Sequence, residues 1–248
     1  MADRLQVQRF ELKYRLCEYK AVEIRQFVKR YLRIDPYGAT QPDLSYPVHS
    51  LYIDSRSMKT YQDTINGTRN RYKLRIRYYE NGPDEPVFFE IKRRYNSVIT
   101  KKRAKVLRKH VPELLRGRMP SMQHLVDKTA KQLDALEQFC FLVNQIHARP
   151  KIHVSYRREA YELENSNAVR ITFDRDVKTQ IETGLDLRTS MDRPTDVFGN
   201  YLILEIKFTN RYPMWLQELT ELFHLRQESA AKYVDGVIRI GPNRMIAV

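Results

Sequence analysis

The chain has 248 residues, 42% of them hydrophobic and 11% aromatic, which is enough apolar surface to bury a core and excludes a disordered polymer. Lysine and arginine number 44 against 30 acids, and the formal charge of +14 favours anionic partners such as phosphates, nucleic acid or an acidic membrane surface. The two cysteines fit neither a disulfide framework nor a metal-binding spacing, and the lack of a signal peptide or a long apolar run predicts a cytoplasmic protein without a membrane span.

The first predicted elements are a strand, a helix and a second strand. Alternating residues in QRFELKYRL predict the strand, and the spacing of three and four residues in EYKAVEIRQFVKRYL predicts an amphipathic helix. The proline, glycine and aspartate of DPYGATQPDLSYP indicate a loop, after which VHSLYID is typical of a strand.

The rest of the chain alternates between strands and helices. KLRIRYY, VFFEIKRRY and SVITKKRAKVL predict an antiparallel meander, and a helical insertion follows at about 111–147. KIHVSYRREAYEL, AVRITFDRDV and YLILEIKF predict later strands, and PMWLQELTELFHL a closing helix. This order predicts an α+β fold with mostly antiparallel strands, in a single domain spanning residues 1–248.

Charged residues recur at every second position of most predicted strands. In KLRIRYY the cations would lie about 6–7 Å apart on one face, with leucine, isoleucine and tyrosine on the other. An open sheet with a polar exterior fits this alternation, and so does a sheet closed around a charged, wet interior. The closed form, with helices packed outside it, also explains why the opposite face is so rich in apolar residues.

A face with so many cations requires an anion. Two cations about 4 Å apart repel by roughly 1 kcal/mol in water and about 4 kcal/mol at an effective dielectric near 20. Arginine forks and lysine ammonium groups suit phosphate oxygens, so the pattern predicts a bound polyanion. Glu205, two residues from Lys207 in an otherwise apolar strand, is the best candidate for a metal ligand beside that polyanion, and an internal salt bridge is the alternative.

Taken in order, the strand motifs resemble a known family. RFELKY, SLYID, KLRIRYY, FFEIKRR, TKKRAKV, YRREAY, VRITFD and LEIKF are similar to the successive strands of the VTC domain, a member of the triphosphate tunnel metalloenzyme superfamily. The resemblance implies a closed antiparallel β-tunnel of about eight strands with helices packed outside. It further implies a basic lumen that holds triphosphate or polyphosphate, with Mn²⁺ or Mg²⁺ bound by glutamate.

The resemblance also implies roles for individual residues. The implied catalytic phosphate clamps are Arg75, Arg77, Arg158 and Arg170. The implied phosphate-binding residues are Arg9, Lys13, Lys92, Lys101, Arg103, Lys207 and Lys232. The implied metal ligand is Glu205, with Glu11 and Glu90 as further candidates. Lys102 falls between Lys101 and Arg103 of the family pattern and is expected to face outward, and Lys232 is included because ESAAKYV resembles the closing serine–lysine segment of the family.

The implied activity is transfer of the γ-phosphate of ATP to a growing polyphosphate chain. Hydrolytic relatives begin strand one with Glu-x-Glu-x-Lys, whereas this chain has Arg9 in the first position, which favours a polymerase over a tripolyphosphatase or nucleoside triphosphatase. A polyphosphate-binding module without turnover stays open as an alternative. Specific nucleic-acid binding is disfavoured because the aromatic residues fall at predicted core positions, and a membrane-bound partner and the oligomeric state stay open.

Overall fold

The structure is a computed structural model that describes residues 9–96, 98–164, 166–209 and 211–246. The side chain of Arg9, one of the predicted phosphate ligands, lies outside the described residues. Contacts between Cα atoms divide the chain into two compact units. The first contains residues up to Pro47 together with Tyr156–Val177 and Phe198–Ala231, and the second contains Val48–Ser155, Lys178–Val197 and the chain from Lys232 onward. The prediction of a single domain stays a prediction.

The secondary structure is mixed. The strands in the described ranges are β1 (Arg9–Leu16), β2 (Arg33–Ile34), β3 (Tyr46–Asp54), β4 (Asn70–Tyr78), β5 (Val87–Tyr95), β6 (Val98–Val106), β7 (Arg149–Leu163), β8 (Ser166–Ile181), β9 (Thr195–Asp196) and β10 (Leu202–Thr209). The α-helices are α1 (Glu18–Val28), α2 (Pro36–Ala39), α3 (Lys59–Ile65), α4 (Val111–Leu115), α5 (Ala130–Gln145), α6 (Met214–Leu222), α7 (Lys232–Ile240) and α8 (Pro242–Ile246). Two short 3₁₀ helices cover Arg108–His110 and Met122–His124.

In the first unit, strands pair in the order β1–β10–β8–β7, and β2 pairs with β7. The β1–β10 and β10–β8 pairs are antiparallel. Because alternate residues of a strand point to opposite faces, each strand has one apolar row. That row packs on the buried faces of α1 and α6, through residues such as Ile24, Phe27, Leu204, Ile206 and Leu216.

In the second unit, β7 is followed by β3, β4, β5 and β6, and β9 pairs with the end of β8. The β3–β4, β4–β5 and β5–β6 pairs are antiparallel, as the predicted meander requires. Leu74 and Ile76 of β4 and Phe89 and Ile91 of β5 pack on α5. The Phe89 ring meets Phe139 of α5 edge to face, with the ring centroids 4.7 Å apart.

The predicted α+β class, with antiparallel strands and helices packed on their apolar face, is confirmed. Closure of the sheet is a different matter. β1 and β6 stand at the two ends of the hydrogen-bond order, and no pairing joins them among the residues described. The sheet is therefore not closed into a hydrogen-bonded ring, contrary to the closed β-tunnel that the resemblance implied.

Four helices in the described ranges were absent from the sequence-based expectation. α2 lies inside the predicted loop, and α3, α7 and α8 lie in segments for which no helix was predicted. The interval 111–147, expected as a helical insertion, contains α4, one 3₁₀ helix and α5. Among the helices in the described ranges, none combines the length and apolar character needed to cross a bilayer.

Candidate functional site

Register brings the charged rows of the first unit together. Glu11 of β1 lies opposite Lys207 of β10, and Lys13 lies opposite Glu205. On the other side of β10, Lys207 lies opposite Arg170 of β8. Directly opposite residues of an antiparallel pair share a face, with Cβ atoms about 4.5–5.5 Å apart. The charged side chains therefore form one group on the face that does not pack on the helices.

Six charged residues of the first unit form what we call the first cluster. Its members are Glu11, Lys13, Arg158, Asp174, Glu205 and Lys207. The Lys207 ammonium lies 2.8 Å from Glu205 Oε2, and the Lys13 ammonium lies 3.4 Å from Glu205 Oε1 and 3.1 Å from Glu11 Oε1. Burial lowers the pKa of Lys207 despite the opposing effect of Glu205 and Glu11. With three acids and three bases, the first cluster is nearly balanced in charge.

Arg158 is held rigidly within the first cluster. Its Nε and Nη2 each donate a 2.7 Å hydrogen bond to the fully buried carboxylate of Asp174, and Nη2 lies 3.8 Å from Glu205 Oε2. Burial opposes the charge on Arg158, but Asp174 outweighs it and keeps the pKa well above the ordinary value. Arg158 is therefore a fixed positive charge beside Glu205.

Arg170 makes different contacts. Its Nη2 donates to Asp35 Oδ2 at 2.6 Å, and Nη1 donates to the Glu162 carboxylate. The Tyr46 hydroxyl lies 3.4 Å from the same Nη2 and itself donates to Asp35 at 2.9 Å. Arg170 was predicted to clamp phosphate together with Arg158. In the structure it is paired with two carboxylates of its own.

The second unit contains a group that we call the second cluster, centred on Glu90. This carboxylate is 1% exposed and contacts four cations. Arg75 Nε and Nη2 lie 2.7 Å from Oε2 and Arg77 Nε lies at 3.9 Å; Lys101 Nζ lies 2.6 Å from Oε1 and Arg103 Nε at 3.3 Å. Burial opposes ionisation, but Arg75, Arg77 and Lys101 hold the pKa of Glu90 well below its ordinary value. One negative charge against four positive ones leaves a strong local excess of positive charge.

A row of lysines crosses the same face. Lys73 of β4 lies opposite Lys92 of β5, which lies opposite Lys101 of β6. Like charges in directly opposite positions are destabilising, so this row adds to the excess of positive charge. Burial lowers the pKa of Lys101 to about 7, against the opposing effect of Glu90. Water still reaches 44% of the Lys101 side chain, which limits that desolvation, so we expect a pKa between about 7 and the ordinary value.

Tyrosines support the second cluster from β3 and α7. Arg75 Nη1 donates to the Tyr52 hydroxyl at 3.2 Å, and the Tyr52 ring stacks on Tyr233 with centroids 4.7 Å apart. Burial raises the pKa of Tyr52, but Arg75, Arg77 and Lys232 outweigh it and the net shift is downward. Lys232, the first residue of α7 and 8% exposed, is thus an electrostatic neighbour of this group.

Lys102 has the outward orientation that was expected. It lies opposite Ile91, on the helix-packing face, and its ammonium forms a 2.7 Å ion pair with Asp134 of α5. Lys101 and Lys102 are thus neighbours in sequence, nearly equal in exposure at 44% and 45%, and on opposite faces of β6. They form a natural matched pair for experiments.

Glu11 and Glu205 are the predicted metal ligands that best fit a divalent cation. Oxygens of both contact the ammonium of Lys13, so the two carboxylates converge on a point that already holds positive charge. Mg²⁺ in phosphate sites is usually bound by one or two carboxylates, and phosphate oxygens and water complete its shell. The pair fits such an ion if Lys13 moves aside. Glu90 fits poorly, because its oxygens contact four cations.

Sequence reasoning missed the acids that hold the arginines. The sequence analysis did not connect Asp174 with Arg158, nor Asp35 and Glu162 with Arg170. A signal for Asp35 exists in the sequence, since aspartate before proline is a helix-start pattern. Its side chain does accept a 2.8 Å hydrogen bond from Gly38 N at the start of α2.

The fold and the clusters define a class: an α+β protein whose antiparallel strands present ion-paired cations on one face and a helix-covered apolar surface on the other. The chain belongs to the VTC domain family, whose model matches residues 8–240. The resemblance inferred from the strand motifs is thereby confirmed.

A curated relative and two solved structures are similar to the chain. Vacuolar transporter chaperone complex subunit 2 of Schizosaccharomyces pombe is 24% identical over an alignment 260 positions long, which covers 87% of this chain and 35% of that protein. The chain thus spans about a third of that relative.

The structure of PH1819 protein from Pyrococcus horikoshii OT3 has a TM-score of 0.48 at 12% identity and covers 94% of this chain and 99% of its own. The monoclinic Mimivirus capping enzyme triphosphatase has a TM-score of 0.36 at 10% identity, covering 88% and 87%. Both structures are too distant to bear on function.

Proposed function

We propose that this protein is a cytoplasmic polyphosphate polymerase that transfers the γ-phosphate of ATP to a polyphosphate chain with Mn²⁺ or Mg²⁺ as cofactor. The observation that carries the proposal is the second cluster, in which four cations surround one buried carboxylate. A polyanion would stabilise this excess of positive charge. Guanidinium and ammonium groups form strong hydrogen bonds with phosphate oxygens. Membership of the VTC domain family supports polyphosphate and a nucleotide as the substrates.

The second cluster would bind phosphates. Arg75, Arg77, Lys101 and Arg103 each reach Glu90 and would exchange part of that contact for phosphate oxygens. Lys92, which lies between Lys73 and Lys101 in register, would add charge to the same face, and Lys232 would add charge beside Tyr52. Glu90 would keep the four cations gathered when no phosphate is bound.

The first cluster would hold the divalent cation. Glu205 would be the principal ligand and Glu11 the second, and when bound the ion would neutralise charge on phosphate oxygens. Lys13 and Lys207 would then be available to phosphate, and Arg158, fixed by Asp174, would present a constant positive charge. Arg170 would act on phosphate only after releasing Asp35 or Glu162, so we expect a smaller contribution from it.

Phosphoryl transfer of this kind needs no protein nucleophile. An oxygen of the terminal phosphate of the acceptor chain would attack the γ-phosphorus of ATP. The bond from the γ-phosphorus to its bridging oxygen would break, ADP would leave, and the acceptor would be longer by one phosphate. Catalysis would come from positioning and from cations that stabilise charge in the transition state.

A binding module without turnover is the second candidate. The observation in its favour is that both oxygens of Glu205 already contact cations, Oε1 with Lys13 and Oε2 with Lys207. A carboxylate so engaged serves as the internal counter-ion of a purely basic site. In that case polyphosphate binding would not require a divalent cation.

Purified protein incubated with ATP and Mn²⁺, with and without a short polyphosphate primer, tests the proposal. We expect polymer on a gel, much less of it from Lys101→Ala, and an undiminished amount from the matched control Lys102→Ala. Phosphate release from tripolyphosphate without polymer would identify a hydrolase instead. Polyphosphate binding in excess EDTA, with no turnover under any condition, would identify a binding module.

A further inference from the structure

A second group of metal-binding side chains lies in the second unit, outside both clusters. His110 ends the first 3₁₀ helix, Glu113 lies in the first turn of α4, and His124 ends the second 3₁₀ helix. One potential ligand atom of each residue lies within 4.8 Å of the other two. We propose that these three residues bind a divalent transition-metal ion of the zinc class, at a site distinct from that of Mg²⁺ or Mn²⁺.

His124 provides the main argument. Its side chain is 1% exposed, yet Nε2 has no hydrogen-bond partner among the described atoms. Glu113 Oε1 lies 3.5 Å from this nitrogen, which is too far for a good hydrogen bond. A buried polar atom without a partner costs about 1–3 kcal/mol, and such atoms are uncommon in native proteins. A metal ion beside Nε2 would remove that cost.

The other ring nitrogen, Nδ1, has both a donor and possible acceptors nearby, so either tautomer of His124 can form a hydrogen bond there. His124 Nδ1 lies 3.1 Å from the Ser121 hydroxyl and 3.2 Å from the Ser121 carbonyl oxygen. If Nδ1 carries the proton and donates to one of these oxygens, Nε2 presents its lone pair to a metal ion. In the other tautomer, Nδ1 accepts from Ser121 N at 2.9 Å and the Nε2 proton has no acceptor. Metal binding would select the first tautomer, in which the hydrogen bond from Ser121 N is exchanged for the bond from Nε2 to the metal.

The distances fit a small tetrahedral ion after a limited movement. Bonds of about 2.0–2.2 Å place neighbouring ligand atoms about 3.3–3.6 Å apart in a tetrahedral site. The separation of 3.5 Å between Glu113 Oε1 and His124 Nε2 already matches, whereas His110 Nδ1 and Glu113 Oε1 are 2.5 Å apart and must separate by about 1 Å. Because the His110 and Glu113 side chains are 21% and 35% exposed, that movement meets little resistance.

The chemistry of the ligands indicates which metal is bound. Two imidazoles and one carboxylate form a known zinc ligand set that leaves a fourth position open. Imidazole prefers zinc, nickel, cobalt or copper over Mg²⁺. Arg118 Nε lies 3.5 Å from Glu113 Oε2 and leaves Oε1 for the metal.

The ion would fasten the segment from His110 to His124 to the end of β6. Leu107 N donates to His124 O at 2.9 Å, and Val106 forms an isolated bridge with Leu125. Both ends of this segment therefore already lie beside β6, the strand that carries Lys101 and Arg103. The metal would add a cross-link at this point, so its effect would be structural and would appear without ATP or polyphosphate.

Titration of EDTA-treated, desalted protein with Co²⁺ tests the site, in excess Mg²⁺ and without polyphosphate, which would chelate the metal. We expect one equivalent of Co²⁺ to give visible ligand-field absorption, Zn²⁺ to displace it, and Zn²⁺ to raise the thermal midpoint. His110→Ala and Glu113→Gln should each weaken binding at least about tenfold. The matched controls are exposed residues of the same unit, His147→Ala and Glu137→Gln, and they should bind as the unaltered protein does.

Several results would overturn the proposal. These are the absence of stoichiometric binding, binding that His110→Ala and Glu113→Gln leave unchanged, or binding that His147→Ala weakens equally. Both test residues are partly exposed, so the variants are expected to fold, and their circular dichroism and thermal transitions verify this. His124→Ala is avoided because it would leave a cavity in the interior.

Discussion

At the residue scale, Glu90 determines whether four cations can share one face. Replacing it with glutamine leaves Arg75, Arg77, Lys101 and Arg103 facing one another without the buried negative charge. Removing one partner of a buried ion pair costs about 3–5 kcal/mol. Because Lys101 and Arg103 are partly exposed, we expect a loss near the lower end of that range. The free energy of unfolding should therefore fall by about 3 kcal/mol. Urea unfolding measures it.

The same variant should respond more strongly to ligand. Polyphosphate would take the place of the missing carboxylate, so saturating polyphosphate should stabilise Glu90→Gln more than the unaltered protein. Asp134→Asn, which removes an exposed acid from the outward Lys102, is the control and should change stability by less than about 0.5 kcal/mol. Equal effects of the two substitutions would mean that Glu90 does not hold the second cluster together.

Lys101 should make polyphosphate binding depend on pH. Its lowered pKa means that the ammonium begins to lose its proton at a lower pH than an ordinary lysine. Because phosphate binds the protonated form, affinity should fall as pH rises from about 7 towards 10, by at most about tenfold per pH unit for this one proton. Fluorescence titration with long polyphosphate at several pH values measures the dependence.

Arginine at the same position keeps its charge throughout this range. Lys101→Arg should therefore flatten the pH dependence, while Lys102→Arg should leave it as steep as in the unaltered protein. A dependence that survives in Lys101→Arg would assign the proton to another group, and Lys207 would be the next candidate because burial lowers its pKa as well.

Single residues were only partly predictable. Alternation placed Glu90, Arg75 and Lys101 on one face because a strand has a strict two-residue period. The partner of each cation could not be read from the sequence, since partners depend on register between distant strands. Arg158 and Asp174 are 16 residues apart on β7 and β8, and Arg170 and Asp35 are 135 apart.

At the element scale, Asp54 joins the end of β3 to α3 and α7. Its carboxylate accepts hydrogen bonds from Thr60 N at 2.9 Å, Tyr61 N at 3.0 Å and the Tyr233 hydroxyl at 2.6 Å. Tyr233→Phe would remove one of these bonds and keep the ring that stacks on Tyr52. We expect the unfolding free energy to fall by about 2 kcal/mol, with polyphosphate affinity nearly unchanged.

Urea unfolding and a binding titration of Tyr233→Phe measure both effects. Tyr201→Phe, at a residue 55% exposed, is the control and should leave both quantities unchanged. A large loss of affinity in Tyr233→Phe would show that the hydroxyl, and not the stacked ring, positions the Arg75 side of the second cluster.

Strands were predicted better than short helices. The alternation of residues that indicates a strand continues over eight or more residues in most of the long strands. The helices α2 and α3 have only four and seven residues, which are too few turns to give a periodic signal. α7 contains Gly236 and several β-branched residues, which have low helix propensity. Burial of its apolar face, including Tyr233, Val237 and Ile240, overrides that propensity.

At the scale of the whole molecule, buried titratable groups should make the protein sensitive to acid. Burial lowers the pKa of His49 to about 4, and burial together with His49 and Arg188 lowers the pKa of His153 to about 3. Between the ordinary histidine pKa near 6.5 and these values, the unfolded chain binds more protons than the folded one. Stability is therefore complete above pH 6.5 and falls as the pH drops, by up to about 1.4 kcal/mol per pH unit for each histidine.

Unfolding free energies measured from pH 7 to 5 test this. His49→Asn should reduce the slope by about half, and the exposed His147→Asn should leave it unchanged. Below about pH 4.5 Glu90 adds a further loss, because its pKa is lowered and it contributes stability only while it is ionised, whereas the contribution of His49 to the slope ends near pH 4. Stability that stays constant from pH 7 to 5 would contradict the buried, neutral state of the two histidines.

Composition predicted the sign of the charge on the molecule but not its distribution. The first cluster is nearly balanced, and the second carries four cations on one acid. Sequence alternation predicts a common charged face without indicating which strands supply neutralising acids. That distribution depends on tertiary pairing, as at Asp174 and Glu90.

The position of β6 affects experiments that map the phosphate-binding residues. This strand is the last one in the order of hydrogen-bonded strands, and it carries Lys101, Lys102, Arg103 and Lys105. Like charge along an outer strand discourages a second molecule from adding its own strand there. Each alanine substitution that weakens phosphate binding therefore also removes some of the protection against aggregation. Light scattering measured alongside every binding titration distinguishes loss of a phosphate contact from aggregation of the protein.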